Sequence, residues 1–342
     1  MKLLIVGDVH WSQYSSIIRE RTSRFSARLE NLIQSVNWVE RTAEKNDCNA
    51  IIYLGDFFDK SELNAEEITA LRYVGWSYIK HFFLCGNHEM GDKYHNISSA
   101  HVLGLMTGCY VIDKPVTVNE YACEICFIPY ITDDERKPIT EYCEKPLNNK
   151  KLYIMSHNDL QIQYGAYKSV NGFTVDEIED VDYCNRFFNG HLHNRSAVSH
   201  KIENVGNLTG QNFGEDALIY EHGVVIYDTE SDIGYFVENP YAFNFYKLTE
   251  QHVLGNPCLG KLKNNAIVSM SCKEYNYDTI KRWLDEHSKL SRIQVQRDVT
   301  NPSAENKIEI TKVDHLAKFT DYVLSNIGND ELVQSEIGEV TI

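Results

Sequence analysis

Five short segments of this chain carry side chains suited to holding divalent metal ions. They read Gly7-Asp8-Val9-His10, Gly55-Asp56-Phe57-Phe58-Asp59, Gly86-Asn87-His88-Glu89, Ser156-His157-Asn158-Asp159 and Asn189-Gly190-His191-Leu192-His193. Asp8 and His10 stand two apart, so one loop can turn both side chains toward a single ion. Asp56 is the natural carboxylate to bridge two ions, Asn87 offers a neutral amide oxygen, and His157, His191 and His193 offer imidazoles. Mixed nitrogen and oxygen donors suit Mn, Fe or Zn, and this set gives each of two ions about four protein ligands. Coordination positions then remain for water and a phosphate oxygen, as metal-assisted phosphoester hydrolysis requires. Any one segment alone is ordinary loop chemistry, because Gly-Asp and Gly-Asn pairs also make turns and caps. Five in order, each after an apolar run, form a constellation.

Those apolar runs, at 3–6, 50–54, 82–85, 152–155 and 187–188, are short and do not alternate. That is the pattern of strands buried on both faces. Helices are expected between them. Residues 24–44 place Phe25, Leu29, Leu32, Ile33, Val36 and Val39 at helical spacing, and residues 65–80 do so with Ile68, Leu71, Tyr78 and Ile79. Alternating strands and helices imply βαβ units and a largely parallel sheet, with functional loops at the carboxyl ends of the strands. A glycine before the ligand lets the backbone turn sharply there.

Further along, 122–128 reads as a strand, and 224–228 and 234–237 as strands of a second sheet joined through 229–232. Beyond a boundary near Asn256-Pro257, residues 266–271, 277–287 and 293–299 suggest a small β-α-β unit. Asn301-Pro302-Ser303 reads as a linker. After it, Val313, Leu316, Phe319, Val323 and Ile327 make one helical stripe, with Asp314 near its start and Gly328 at its end. The stripe suits packing on its own domain or docking on a partner. The expected domains are therefore 1–255, 256–300 and 301–342.

No run approaches the ~18 apolar residues of a membrane span. Only four apolar residues precede Gly7-Asp8, so the start is expected to be a strand and not an export signal, which places the protein in the cytoplasm. Cys48, Cys85, Cys109, Cys123, Cys126, Cys143, Cys184, Cys258 and Cys272 are scattered and odd in number, as expected of reduced core thiols. Cys123-x-x-Cys126 has no second pair or nearby histidine to complete a zinc site. A net charge of −16 argues against a free-standing nucleic-acid binder. It does not exclude local contacts, a site neutralised by metal, or a partner that supplies positive charge. Arg19, Arg21, Arg24 and Arg28 cluster after the first ligand loop, where they suit a solvated helix face or contact with a phosphate backbone.

Asp8-x-His10, Gly55-Asp56-x-x-Asp59, Gly86-Asn87-His88-Glu89, Ser156-His157 and Gly190-His191-x-His193 resemble the ordered signature of the calcineurin-like metallophosphoesterases. The resemblance implies an α/β sandwich of two β-sheets flanked by helices, with a small α+β capping domain and a C-terminal helical segment. It implies that Asp8, His10, Asp56 and His193 hold one ion, and Asp56, Asn87, His157 and His191 the other. His88 would be catalytic, facing the scissile phosphate without binding metal. Glu89 and Ser156 depart from the family's more common Asp and Gly, and neither departure removes a ligand.

Within the superfamily, Gly55-Asp56-Phe57-Phe58-Asp59 is similar to the form in bacterial and phage DNA-repair nucleases; archaeal and eukaryotic relatives usually carry His at the place of Asp59. The strand run 126–130 and Asn204-Val205-Gly206-Asn207 resemble the SbcD-type nuclease subunit, most closely its phage form. The motif resemblance covers residues 1–215 and is only architectural beyond them. It implies a DNA exonuclease and endonuclease of recombination and repair. Its cofactors would be two divalent ions, with Mn²⁺ expected and Mg²⁺ the alternative. The chain has no Gly-x-x-x-x-Gly-Lys-Ser/Thr, so ATP-driven handling of DNA would fall to an SbcC-type ATPase, in a heterotetramer built on a homodimer. The rivals are a calcineurin-like phosphatase or cyclic-nucleotide phosphodiesterase, and a non-catalytic scaffold that binds DNA and the ATPase. The intact ligand set speaks against the scaffold.

Overall fold

Leu3 and Ile5 point to one face of the strand Lys2–Val6, and Leu4 and Val6 to the other, and all four are fully buried. The first pair meets a second sheet, and the second pair meets the helix Ala27–Lys45. This is why the ligand-bearing strands read as continuous apolar runs. The computed structural model describes residues 1–296 apart from 121–122, 165–166 and 256–258.

One six-stranded sheet runs Ile233–Glu238, Gly223–Asp228, Lys2–Val6, Ala50–Tyr53, Lys80–Leu84, Cys109–Ile112. Its last four strands are parallel, and the first two are added antiparallel beside Lys2–Val6. The other runs Ser196–Ala197, Ile202–Asn204, Cys184–Asn189, Lys151–Ser156, Cys123–Ile128, Val116–Asn119. Its middle four strands are parallel, with an antiparallel strand at each edge. Ile52, Leu84, Phe127, Met155 and Phe188 fill the space between the sheets. The sandwich of two sheets flanked by helices is as expected, but its membership is not. The strands at 224–228 and 234–237 belong to the first sheet, because Val224–Asp228 pairs in register with Val6–Lys2 across the whole chain length between them. The five ligand loops divide between the sheets, three on the first and two on the second, all at carboxyl ends.

The helix Ala27–Lys45 is capped by Ser26, whose side chain accepts the Leu29 N–H. The helix expected over 65–80 is much shorter. It runs Ala65–Ala70, continues as one 3₁₀ turn Leu71–Tyr73, and stops before Gly75. Ile68 and Tyr78, two members of its apolar stripe, are exposed, and Lys80 already begins a strand. Cys123 and Cys126 are three apart on one strand and so face opposite sides, Cys123 into the inter-sheet core and Cys126 into the outer cluster. That arrangement cannot close two thiolates on one ion. The cysteines among the described residues are free thiols, nearly all buried.

The β-α-β unit is present as Ala266–Lys273, Tyr277–His287 and Leu290–Gln296, with the two strands parallel. Asn244–Leu248, ahead of the expected boundary, joins it as a third parallel strand. Residues 1–296 make one compact unit, so this small sheet shares it with the sandwich. The expected boundary at Asn256-Pro257, Cys258, the linker and the C-terminal stripe lie outside the described residues. Among the described residues no helix is long and apolar enough to cross a membrane.

Candidate metal centre

The loops leaving the two sheets bring the candidate ligands into two adjoining groups. Asp8, His10 and His193 form one, and Asp56, His157 and His191 the other; in each, one ligand atom per residue lies within 4.8 Å of the rest. Asn87 belongs to the second, its Oδ1 lying 3.2 Å from His157 Nε2 and 3.0 Å from His191 Nδ1. Asp56 spans the pair, with Oδ2 at 3.2 Å from His157 Nε2 and 4.0 Å from His10 Nε2. All seven expected ligands therefore converge, and Asp56 lies where a bridging carboxylate must lie.

Each imidazole is oriented by an acceptor on its far side. His10 Nδ1–H donates to Asp59 Oδ1 at 3.0 Å, and His157 Nδ1–H to the Leu54 carbonyl at 2.6 Å. His191 donates from Nε2 to Asp159 Oδ1 at 3.1 Å, and His193 from Nδ1 to Glu215 Oε1 at 3.0 Å. Because those partners only accept, the opposite nitrogens face inward and are the ones free to bind a metal once deprotonated. His10 Nε2 and His193 Nε2 accordingly point at one another across 3.1 Å, a distance that calls for a shared cation or proton.

The residues fit metal on a further observation. Asp8 Oδ2 is buried and has no hydrogen-bond partner among the described residues, while Asp8 Oδ1 accepts the His191 N–H at 2.9 Å. An orphaned carboxylate oxygen at this depth is expensive unless a cation satisfies it. The surrounding electrostatics agree. Burial disfavours charge on His157, yet Asp56 and Asp8 outweigh it and raise its pKa to about 9. Burial likewise opposes ionisation of Asp56, but His157, His10 and His88 hold its pKa below the ordinary value. The centre demands positive charge.

The backbone is bent to make the site. His10, Asp56 and His191 all adopt left-handed φ, at 50°, 46° and 71°, a conformation non-glycine residues take only when surroundings impose it. Gly55 turns with φ of 103°, which only glycine does freely. Gly86 serves close approach instead, since a β-carbon there would collide with Asp56 Oδ1. Gly86→Ala is expected to displace the Asp56 carboxylate and weaken metal binding about 10–100-fold, the usual range for a disturbed ligand support. Calorimetric Mn²⁺ titration checks this against wild type.

Four carboxylates support these ligand loops. Asp59 holds His10 through its carboxylate and accepts the His88 Nδ1–H at 3.0 Å through its carbonyl. Asp159 lies in the fourth motif, two residues beyond His157, but Glu215 is more than twenty residues past His193 and has no local signal. Glu89 is fully buried and accepts the Gly86 N–H at 2.6 Å and the Phe58 N–H at 2.9 Å, tying two ligand loops together. Burial and the nearby Asp56 charge raise its pKa to about 8. Arg28 corrects an expectation: it is buried, and donates to the Gly210 carbonyl at 3.1 Å and the His10 carbonyl at 3.5 Å. It faces inward on the first turn of its helix, pins the first ligand loop, and cannot reach a phosphate backbone. Arg19, Arg21 and Arg24 are exposed beside that loop.

Residues 1–195, more than half of the chain, match the profile of the calcineurin-like phosphoesterases. The chain belongs to that family. Its members hydrolyse phosphoesters with divalent metals, and this phosphoesterase has the groups that could hold them. Similar solved structures include an archaeal phosphodiesterase, 13% identical, covering 70% of this chain and 99% of that one, with TM-score 0.38. A hypothetical protein from Thermus thermophilus is 12% identical, with coverage of 70% and 100% and TM-score 0.41. A dimetal phosphatase from Danio rerio is 10% identical, with coverage of 66% and 91% and TM-score 0.38. No curated protein sequence matches this phosphoesterase.

Proposed function

We propose that this phosphoesterase is a metal-dependent DNA nuclease subunit that hydrolyses DNA phosphodiesters in recombination and repair. In this reading it uses two Mn²⁺ ions, with Mg²⁺ the alternative, and works as a homodimer with an SbcC-type ATPase. One ion would be held by Asp8, His10, Asp56 and His193, and the other by Asp56, Asn87, His157 and His191. When bound, the ions acidify water and neutralise charge on the phosphoryl oxygens.

The observation that carries the reading is the exposed row of Arg19, Arg21 and Arg24 beside the first ligand loop, in a chain whose net charge is −16. Exposed Tyr14 lines the same surface groove as Arg19 and Arg21. Arginine with an adjacent aromatic ring suits a sugar-phosphate strand, and a small phosphomonoester needs no such row. Arg21 is paired with Glu66 at 3.0 Å, which offsets its charge, while Arg24 lies over the Tyr73 ring and, like Arg19, has no acidic partner among the described residues. The Gly55-Asp56-Phe57-Phe58-Asp59 form and the small sheet after the sandwich also resemble the SbcD-type subunit.

End-labelled duplex DNA incubated with Mn²⁺ is expected to be degraded, and a chelator to abolish the reaction. Inert DNA alongside cleaved p-nitrophenyl phosphate or cyclic nucleotide would establish the phosphatase or phosphodiesterase rival instead.

A further inference from the structure

A cavity of about 350 Å³ opens beside the metal centre and is not used by any ligand or support described above. Tyr130 forms its inner wall. That ring stands 5.6 Å from the His191 ring and 6.4 Å from the His157 ring, so the cavity and the second metal group share a partition. Tyr130 is anchored on both sides: its N–H donates to the Cys85 carbonyl at 2.9 Å, and its carbonyl accepts from His95 Nε2 at 2.8 Å. Tyr94, Tyr142, Pro115 and Pro129 line the remaining walls. These residues follow strands of both sheets at the same carboxyl edge that carries the ligands.

The electrostatics of the rim are selective. Lys93 is neutralised by Asp134 and Glu135, at 2.6 and 2.8 Å, and Lys137 by Glu141 at 3.4 Å. Asp113, also at the rim, is paired with His101 at 3.5 Å, and Lys114 forms no salt bridge among the described residues. The cavity thus presents tyrosine rings and proline faces inside, with Lys114 the one rim lysine that no carboxylate pairs among the described residues. Its volume lies within the range of small-molecule sites. A planar aromatic group stacks on such walls whatever its hydrogen-bonding edge, and a neighbouring phosphate answers the lysine. The serine or threonine of a phosphoprotein offers no planar group for these walls.

We infer that this cavity is a nucleoside subsite, receiving a base of the substrate whose phosphodiester lies over the metal centre and placing the next phosphate near Lys114. The inference rests on the proposed phosphodiester hydrolysis at this site and deepens it by assigning the residues that would receive a base.

The test uses the full chain with Mn²⁺ and compares kcat/KM for thymidine 5′- and 3′-(p-nitrophenyl phosphate) with methyl p-nitrophenyl phosphate. The leaving group is the same throughout, so the ratio reports the nucleoside alone. Wild type is expected to favour at least one thymidine ester by about tenfold or more, and Tyr94→Ala to bring that ratio close to one. Tyr94→Phe should keep it. Tyr94 is exposed, and thermal melting checks that the variants fold. Absence of a preference in wild type, or a preference untouched by Tyr94→Ala, would overturn the subsite, as would a phosphotyrosine peptide preferred over both thymidine esters. Nucleoside preference with inert duplex DNA would uphold the subsite and remove the DNA reading. Degraded DNA without nucleoside preference would do the reverse.

Discussion

Replacing His88 by alanine is expected to lower kcat on DNA and on p-nitrophenyl esters by about 10²–10⁴-fold, with the metal content unchanged. His88 is the most exposed of the site histidines: its side chain is 40% accessible, against 32% for His193, 19% for His191 and 0–1% for His10 and His157. Its Nδ1–H is committed to the Asp59 carbonyl, which leaves Nε2 to meet substrate. Its backbone N–H donates to Asp56 Oδ1 at 2.9 Å, so its main chain is tied to the carboxylate that spans the two groups. In the proposed reading, His88 would stabilise charge on the phosphoryl group or protonate the leaving oxygen. His88 also lies within ligand-atom reach of His10 and Asp56. Metal content therefore discriminates between roles: loss of one ion from His88→Ala would make His88 a ligand and not an acid.

The largest effect on stability is expected far from the chemistry. His81 and Glu40 are both buried, and His81 Nε2 lies 3.0 Å from each Glu40 oxygen. Glu40 also accepts from the Ser77 hydroxyl at 2.7 Å, so helix Ala27–Lys45 is joined to strand Lys80–Leu84 through one charged group. Glu40→Leu leaves a buried imidazolium without its counter-charge and should cost about 3–5 kcal/mol in urea denaturation at pH 6. The pair also sets a pH dependence. Burial disfavours charge on His81, but its hydrogen bonds to Cys109 and Glu40 outweigh that and raise its pKa to about 9. A folded-state pKa raised above the ordinary value near 6.5 makes a contribution that is complete below about pH 6.5 and fades as pH rises through 9. Wild type should therefore lose stability between those limits by more than Glu40→Leu does. Parallel curves for the two proteins would show that the pair is not the titrating element.

Much of the site was legible because its chemistry is local. Asp8 with His10, Asn87 with His88, and His191 with His193 are each carried on one loop after one apolar run, so residue type and spacing together named them. The parallel βα plan was legible for the same reason, and the helix expected from residue 24 needed only its start moved to Ala27. The helix expected to residue 80 ends early because Ile68 and Tyr78, two positions of its apolar stripe, are exposed and give no core contact to hold further turns.

By itself the sequence determined the ligand inventory, the order of the ligand loops, and hence the class of reaction. Tertiary structure decided how those loops meet. Whether the strand Gly223–Asp228 joins the first sheet or the second depends on pairing between residues more than two hundred positions apart, which no local pattern records. The same holds for Glu215 behind His193, for Asp59 joining His10 to His88, and for Arg28, which the sequence places among surface arginines and the fold buries against the first ligand loop. Donor types are a property of residues. Convergence, orientation and burial are properties of packing, and they turn seven dispersed donors into one centre.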